Sequence, residues 1–293
     1  MYECFLEIAF EAEVNTKEDP ELYEIAYEQC HEELNTREAC IAELRDMIYA
    51  RGECMPFRTD DAFLIRFLRV TKFIVPKAHK LLARYCSFRE QYPYLYKDVD
   101  MWGLTKVKDA YEGSMLDRPD IGRLSVFRFG MWDPSEFPVE DLVRAGMLMT
   151  EIGIRQPKLQ VFGGTVLVDL EGITLRHVAT LTPTVAYQIV CLLGLASPCR
   201  LKSCHIINYS WILNTFIYLF KRFIPRRSWE KIYFHGYNLK SLQEHFDLEC
   251  LPVRYGGTCR NFTTFGTWLT KIKKYRDEQF DQEMKQLGYI VKE

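Results

Sequence analysis

Apolar side chains recur at helical spacing through the first third of the chain, then give way to short apolar runs separated by helical stretches. Residues 21–33 and 37–49 follow the helical period, the second through Ile41, Leu44, Met47 and Ile48. Asn35-Thr36 is a candidate cap for that second helix. Asp60-Asp61 opens DDAFLIRFLRV, with Phe63, Leu64, Phe67 and Leu68 on one face and Arg66 and Arg69 sharing a side. Pro76 starts a further helix, with Ala78, Leu81, Leu82, Tyr85 and Phe88 inward and Lys77, Lys80, Arg84 and Arg89 outward.

The pattern changes after Gly113. Strands are expected at 123–128, 165–168, 203–207 and 231–234, and helices at 139–154, from 182 to about 193, at 210–223 and near 239–245. The run Thr165–Val168 sits inside VFGGTVLVDLEGI, is β-branched and apolar, and reads as a strand buried on both faces. Strands separated by helices need crossover connections, so the fold class is α/β with a mixed, mostly parallel sheet covered by helices. The charged stretch 264–287 reads as a solvated outer helix. Asp169 and Glu171 leave the buried strand at the Gly172 turn, where capping or pairing with an Arg suits them better than catalysis.

Composition narrows the function. The 293 residues are 48% hydrophobic and 27% charged, as expected for a chain that buries a core. A net charge of −2 excludes a purely electrostatic nucleic-acid binder. Glu3, Glu7, Glu11 and Glu13 interrupt any leader-like start, and the longest apolar stretch is broken by Lys221 and Arg222. Ten cysteines without a CxxC pair predict reduced thiols of a cytosolic protein rather than a zinc site or disulfide framework. The sequons at Asn208 and Asn261 are then expected to carry no glycan. GxGxxG, GxxxxGK[ST], GxSxG and HExxH are all missing. His205 and His235 are expected to be hydrogen-bonded structural histidines. The expectation is a protein that is not an enzyme and uses neither metal nor cofactor.

One helix does not suit an ordinary surface. From Trp211 to Ile224 apolar side chains occur all round, so the helix is buried on both sides or faces something apolar outside. Between 200 and 231 there are seven basic residues and one acidic residue, Glu230. Basic residues beside an apolar helix are the composition of a membrane-surface element.

Seven ordered blocks carry a resemblance: FLIRFLRVTKF (63–73), FRFGMWDP (127–134), LVDLEGI (167–173), LTPTVAYQI (181–189), CHIIN (204–208), KIYFHG (231–236) and LPVRYGGT (251–258). They resemble the CRAL-TRIO (Sec14-like) lipid-binding family, and within it the branch of alpha-tocopherol transfer protein and cellular retinaldehyde-binding protein. The resemblance spans roughly residues 30–265. It implies an N-terminal helical region at 1–110, a lipid-binding domain at 111–262 with a mobile lid helix, and a charged C-terminal helix at 263–293. The implied activity is binding and transfer of a small hydrophobic ligand, tocopherol-like, retinoid-like or a similar lipid, with release at phosphoinositide-containing membranes.

The residues this implies divide into two groups. A phosphoinositide cleft would use Arg66, Arg200, Lys202, Arg227 and Lys231, with Arg69 and Arg226 as alternates; two of the five exchange Lys for Arg or the reverse. The pocket wall would use Phe127, Val166, Val168, Leu181, Ile189, Leu193, Ile207, Leu213, Phe216, Ile217 and Phe220. Gly146, Thr150 and Ser197 stand where the tocopherol carrier has other residues, which argues against tocopherol itself. The implied partners are the lipid ligand and an endosomal or plasma membrane met reversibly by a cytoplasmic monomer. A Sec14-like phospholipid exchanger and a phosphoinositide-recognising trafficking adaptor are the alternatives.

Overall fold

The structure, a computed structural model, describes residues 2–209 and 219–292. Helices α1 (Tyr2–Ala12), α2 (Leu22–Cys30), α3 (Leu34–Arg51), α4 (Asp61–Val70) and α5 (Val75–Gln91) form the N-terminal region. α3, α4 and α5 pack around Leu44, Phe63, Leu64, Phe67, Leu68 and Leu82. α4 starts where Asp60-Asp61 was expected to open it, and Asp60 caps it by accepting a 3.0 Å hydrogen bond from the Phe63 amide. The cap of α3 differs from expectation. Glu33 is the N-cap, and Asn35 and Thr36 lie inside the first turn. His31, at φ 56°, takes the left-handed conformation that ends α2 and turns the chain early into α3.

Short 3-10 turns over Trp102–Ala110 lead into the sheet. Its strands are β1 (Tyr111–Arg118), β2 (Gly122–Arg128), β3 (Gly164–Asp169), β4 (Leu201–Ile207), β5 (Ile232–Gly236) and β6 (Phe262–Thr264), in the order β5-β4-β3-β2-β1-β6. β2 through β5 run parallel, and β1 is antiparallel to both β2 and β6. The strand expected to be buried on both faces is β3, near the middle of the sheet. β1 and β6 were not legible, because YEGSMLDR has no apolar run and FTT is too short to show a period.

Between the strands lie α6 (Val139–Gly153), α7 (Pro157–Phe162), α8 (Leu175–Thr180), α9 (Pro183–Val190) and α10 (Leu239–Gln243). α6 and α9 cover one face of the sheet, contributing Leu142, Val143, Leu148 and Val185 to the main core. The other face packs Leu124, Val126, Leu167 and Ile207 against Leu242, Phe246, Leu251 and Tyr255.

The tail departs from the outer-helix expectation. It forms two helices, α11 (Phe265–Tyr275) and α12 (Glu278–Gln286), with Asp277 capping the second through a 2.8 Å bond from the Phe280 amide. Phe265, Trp268, Leu269, Ile272, Phe280 and Met284 are all buried in the main core. The charges occupy the remaining sides of these helices, which hides a narrow apolar stripe from a composition-based reading. Ion pairs tie the parts together. Glu151 on α6 accepts 2.8 Å hydrogen bonds from Tyr85 and Arg89 of α5, and Glu283 on α12 meets Arg58 at 2.8 Å and Arg155 at 2.9 Å.

Candidate ligand cavity and its basic rim

Successive side chains of a strand point to opposite faces. On the α6/α9 side, Phe127 of β2, Val166 and Val168 of β3, and Cys204 and Ile206 of β4 face an open interior. Two adjoining hollows lie there, of about 720 Å³ and about 140 Å³, sharing Ile189, Leu193 and the Cys199–Leu201 segment as walls. α9 does not close against the sheet. It opens into a π-type turn at Cys191–Leu195, with Gly194 at φ 119°, a conformation that side-chain-bearing residues avoid.

The expected wall residues fall as follows. Val168, Leu181 and Phe220 line the larger hollow, Phe127 and Val166 the smaller, and Ile189 and Leu193 both. Gly146 and Thr150 line the smaller, whereas Ser197 is buried outside both linings. Leu213, Phe216 and Ile217 lie outside the described residues, as does most of the expected lid. Ile207 is a correction: it belongs to the core on the opposite face, and Ile206 takes its place in the wall. Phe129, Leu170, Trp229 and Phe234 also line the larger hollow and were not anticipated. The parity of β4 against Val166 and Val168 would have pointed to Ile206, but it depends on register, which is set between strands.

Among the described residues, four cations, Lys72, Arg84, Arg200 and Lys231, and no carboxylate stand in the wall of the larger hollow. Arg200 Nη1 donates to the Val161 carbonyl at 2.9 Å and to Cys30 Sγ at 3.4 Å. Lys231 Nζ donates to the Leu201 carbonyl at 2.8 Å. Lys202 Nζ donates to Gln29 Oε1 at 3.3 Å, to the Asp120 carbonyl at 3.0 Å and to the Pro119 carbonyl. Partial burial and then the Arg200 charge push both ammonium groups down, with Lys72 adding to the effect on Lys231. Arg200, Lys202, Lys231 and Lys72 therefore share one field.

Gly163 positions Arg200. At φ +71° it brings the entry of β3 so close that a Cβ would stand 2.3 Å from the Arg200 carbonyl oxygen. The next amide, Gly164, donates to that oxygen at 2.9 Å.

Arg66 does not join this group. It is 3% exposed, lies 5.0 Å over the Phe63 ring, and has Glu151, Arg58 and Glu283 as its charged neighbours; burial pushes its guanidinium down. Arg69 is the α4 cation on the Arg200 side, and both influence the Cys30 thiol. All side chains from Phe63 to Arg69 are buried, so helical spacing alone could not say which arginine turns toward the sheet. Arg227 is exposed in the 3-10 turn Arg226–Lys231 that leads into β5.

The remaining candidates are structural. Asp169 accepts from the Tyr255 hydroxyl at 2.8 Å, from Asn208 Nδ2 at 2.9 Å and from the Glu171 amide at 3.0 Å, and its charge also acts on Arg254. His205 and His235 share a 3.0 Å hydrogen bond between their rings, flanked by Ser203 and Ser241 at 2.9 Å. Among the described residues no group of His, Cys, Asp or Glu is arranged to hold a metal ion, and no helix is long and apolar enough to cross a membrane.

Residues 120–257 match the CRAL/TRIO domain, and residues 17–84 match the CRAL/TRIO N-terminal domain. The chain is 31% identical to human (Homo sapiens) Clavesin-2 over 268 residues, which is 90% of this chain and 81% of that protein. The chain belongs to the CRAL/TRIO family. Clavesin-1 of Xenopus laevis is 30% identical over 266 residues, covering 89% of this chain and 80% of that one. The crystal structure of Sfh5 superposes with a TM-score of 0.48 at 12% identity, over 84% of this chain and 99% of that chain. The two CRAL/TRIO matches coincide with the helical bundle and the sheet domain, so the cavity described above is that of a lipid-binding and lipid-transfer family.

Proposed function

We propose that this CRAL/TRIO protein carries a hydrophobic ligand in the 720 Å³ cavity without changing it chemically, and releases it at phosphoinositide-bearing membranes. The observation that carries this reading is an apolar wall that, among the described residues, holds four cations and no carboxylate. Like charges gathered in a partly buried site repel one another, and a multiply charged phosphate group relieves that repulsion through charge-assisted hydrogen bonds. In this reading Arg200, Lys202 and Lys231, joined by Lys72, take the head group. Phe220, on the apolar segment beside the cavity, acts as part of the gate. The protein works as a cytoplasmic monomer that meets the membrane reversibly.

A second reading is favoured by Lys72 and Arg84, which stand within the wall itself. A phospholipid whose chains fill the hollow would place its phosphate against them, which is the Sec14-like alternative. Lipid extraction and mass spectrometry of the purified protein separate the two. An isoprenoid or other neutral lipid supports the first, and a phospholipid the second. Transfer between vesicles should accelerate when the acceptor carries phosphatidylinositol bisphosphate. A chemically altered ligand after incubation, or transfer indifferent to that lipid, would defeat the reading.

A further inference from the structure

The segment 18–33 contains seven acidic residues and no Lys or Arg, the reverse of the basic stretch 200–231. In the fold it meets the basic rim. Gln29 Oε1 accepts from Lys202 at 3.3 Å, and Cys30 Sγ accepts from Arg200 at 3.4 Å. Glu32 accepts from Arg69 Nε at 2.8 Å and Nη2 at 2.9 Å, and Glu18 accepts from Arg69 Nη2 at 2.5 Å. Glu18 and Glu32 also pair with Arg37 of α3, at 2.6 Å and 3.3 Å, so the acidic segment meets four cations, of which Arg69, Arg200 and Lys202 come from α4 and the entry of β4. The carbonyl end of α2 points the same way, adding the negative end of its dipole.

The apolar hold on this segment is small. α2 packs through Ala26 and Cys30 on Val161 and Phe162, with Leu22 and Ile25 partly buried beside them. Tyr23, Glu24, Tyr27 and Glu28 face solvent. From this segment Arg200 and Lys202 receive only a thiol and a neutral amide, both weaker acceptors than a phosphate oxygen.

We propose that the acidic segment 18–33 is a built-in occupant of the basic rim, covering Arg69, Arg200 and Lys202 until a multiply phosphorylated inositol group displaces it. This inference rests on the reading of the rim as a phosphoinositide site. Displacement exposes Arg69 as a further ligand for the head group and frees α2 from Arg200 and Lys202. The buried Arg69–Glu32 pair then opens only when another anion replaces the carboxylate, because a lone buried guanidinium is strongly unfavourable.

Hydrogen–deuterium exchange on the full chain tests the displacement directly. Residues 18–33 should lose protection with soluble inositol trisphosphate or with phosphatidylcholine vesicles containing phosphatidylinositol bisphosphate, and not with phosphatidylcholine alone. Release by the soluble probe assigns the effect to the free head group, and release by vesicles only assigns it to the lipid surface. A folded Glu18→Gln, Glu32→Gln variant should bind the phosphoinositide vesicles about tenfold more tightly than the wild type. If that variant does not fold, the wild-type exchange measurement decides alone. Increased protection of 18–33 on binding overturns the inference. Equal affinity of wild type and folded variant also overturns it, while leaving the phosphoinositide reading intact. No binding of either probe by the wild type overturns both.

Discussion

Ile206 and Ile207 are neighbours in β4 that serve opposite faces of the sheet. Ile206 pairs with Val168 and lines the larger hollow, and Ile207 is 0% exposed in the core with Leu124, Val126 and Leu167. Ile207→Ala should cost about 2–5 kcal/mol, because it leaves a void in a closed core. Ile206→Ala borders a space that is already open, so it should cost less and change which lipid is retained. Denaturant unfolding and mass spectrometry of bound lipid read the two effects. Equal destabilisation by both would show that Ile206 is packed core rather than cavity wall.

The basic rim separates binding from stability. Each cation near an anionic leaflet is worth about 1 kcal/mol, so Arg200→Ala with Lys231→Ala should weaken binding to phosphatidylinositol bisphosphate vesicles about thirtyfold. Arg66→Ala should leave that affinity unchanged and lower the melting temperature, since Arg66 is buried over Phe63 near Glu151 and Glu283. Vesicle sedimentation and thermal unfolding on the three proteins check this. A loss of vesicle binding in Arg66→Ala would return Arg66 to the cleft.

Acid should act first through the histidine stack. Burial, and then the neighbouring His235 and His245 rings, push His205 down to about 3 from its ordinary 6.5. Between those values the folded state binds fewer protons than the unfolded one, so this stability is present above about pH 6.5 and lost as pH falls toward 3. Glu283 acts lower. Burial alone would raise its carboxyl, but the hydrogen bond and charge of Arg155, followed by Gln279 and Arg58, bring it to about 2 from 4.5. Its contribution is present above about pH 4.5 and lost as pH falls to about 2. The melting temperature should therefore drop between about pH 6.5 and 5, and His205→Gln should flatten that drop while leaving the decline below 4.5. An identical pH profile in His205→Gln would remove the stack as its cause.

The C-terminal helices should behave as core. Leu269 is 0% exposed, and Leu269→Ala is expected to cost about 2–5 kcal/mol in one cooperative transition with the sheet. Lys271 and Lys274, on other sides of α11, pair with Glu7 of α1 at the surface, and replacing Lys274 should cost less than about 1 kcal/mol. Urea unfolding followed by tryptophan fluorescence compares them. Separate melting of the tail would restore the outer-helix picture.

Several features of the candidate site were legible because they are local. Val166 and Val168 share a face by strand parity, and Ile189 and Leu193 share one by helical spacing. Arg200 and Lys202 could be placed on one side of the segment entering β4. Lys72 and Arg84 were visible as charges but not as wall residues. Neither lies in the basic stretch around the lid, and the chain returns them to the cavity only through the packing of the helical bundle against the sheet.

By itself the sequence determined the change from helices to alternating strands and helices, the parallel strands β2 to β5 with the buried β3 run, the start of α4 at Asp60-Asp61, and the concentration of positive charge after residue 200. Periodicity, capping and charge density depend on residues a few positions apart, so one chain read in order suffices for them. Tertiary structure decided that Ile206 rather than Ile207 faces the cavity, that Arg69 rather than Arg66 turns toward Arg200, and that the charged tail buries Trp268, Leu269 and Phe280. Those outcomes follow from strand register and from the rotation of each helix about its axis. Both are set by partners far away in sequence, whose combined packing outweighs any preference the local segment carries.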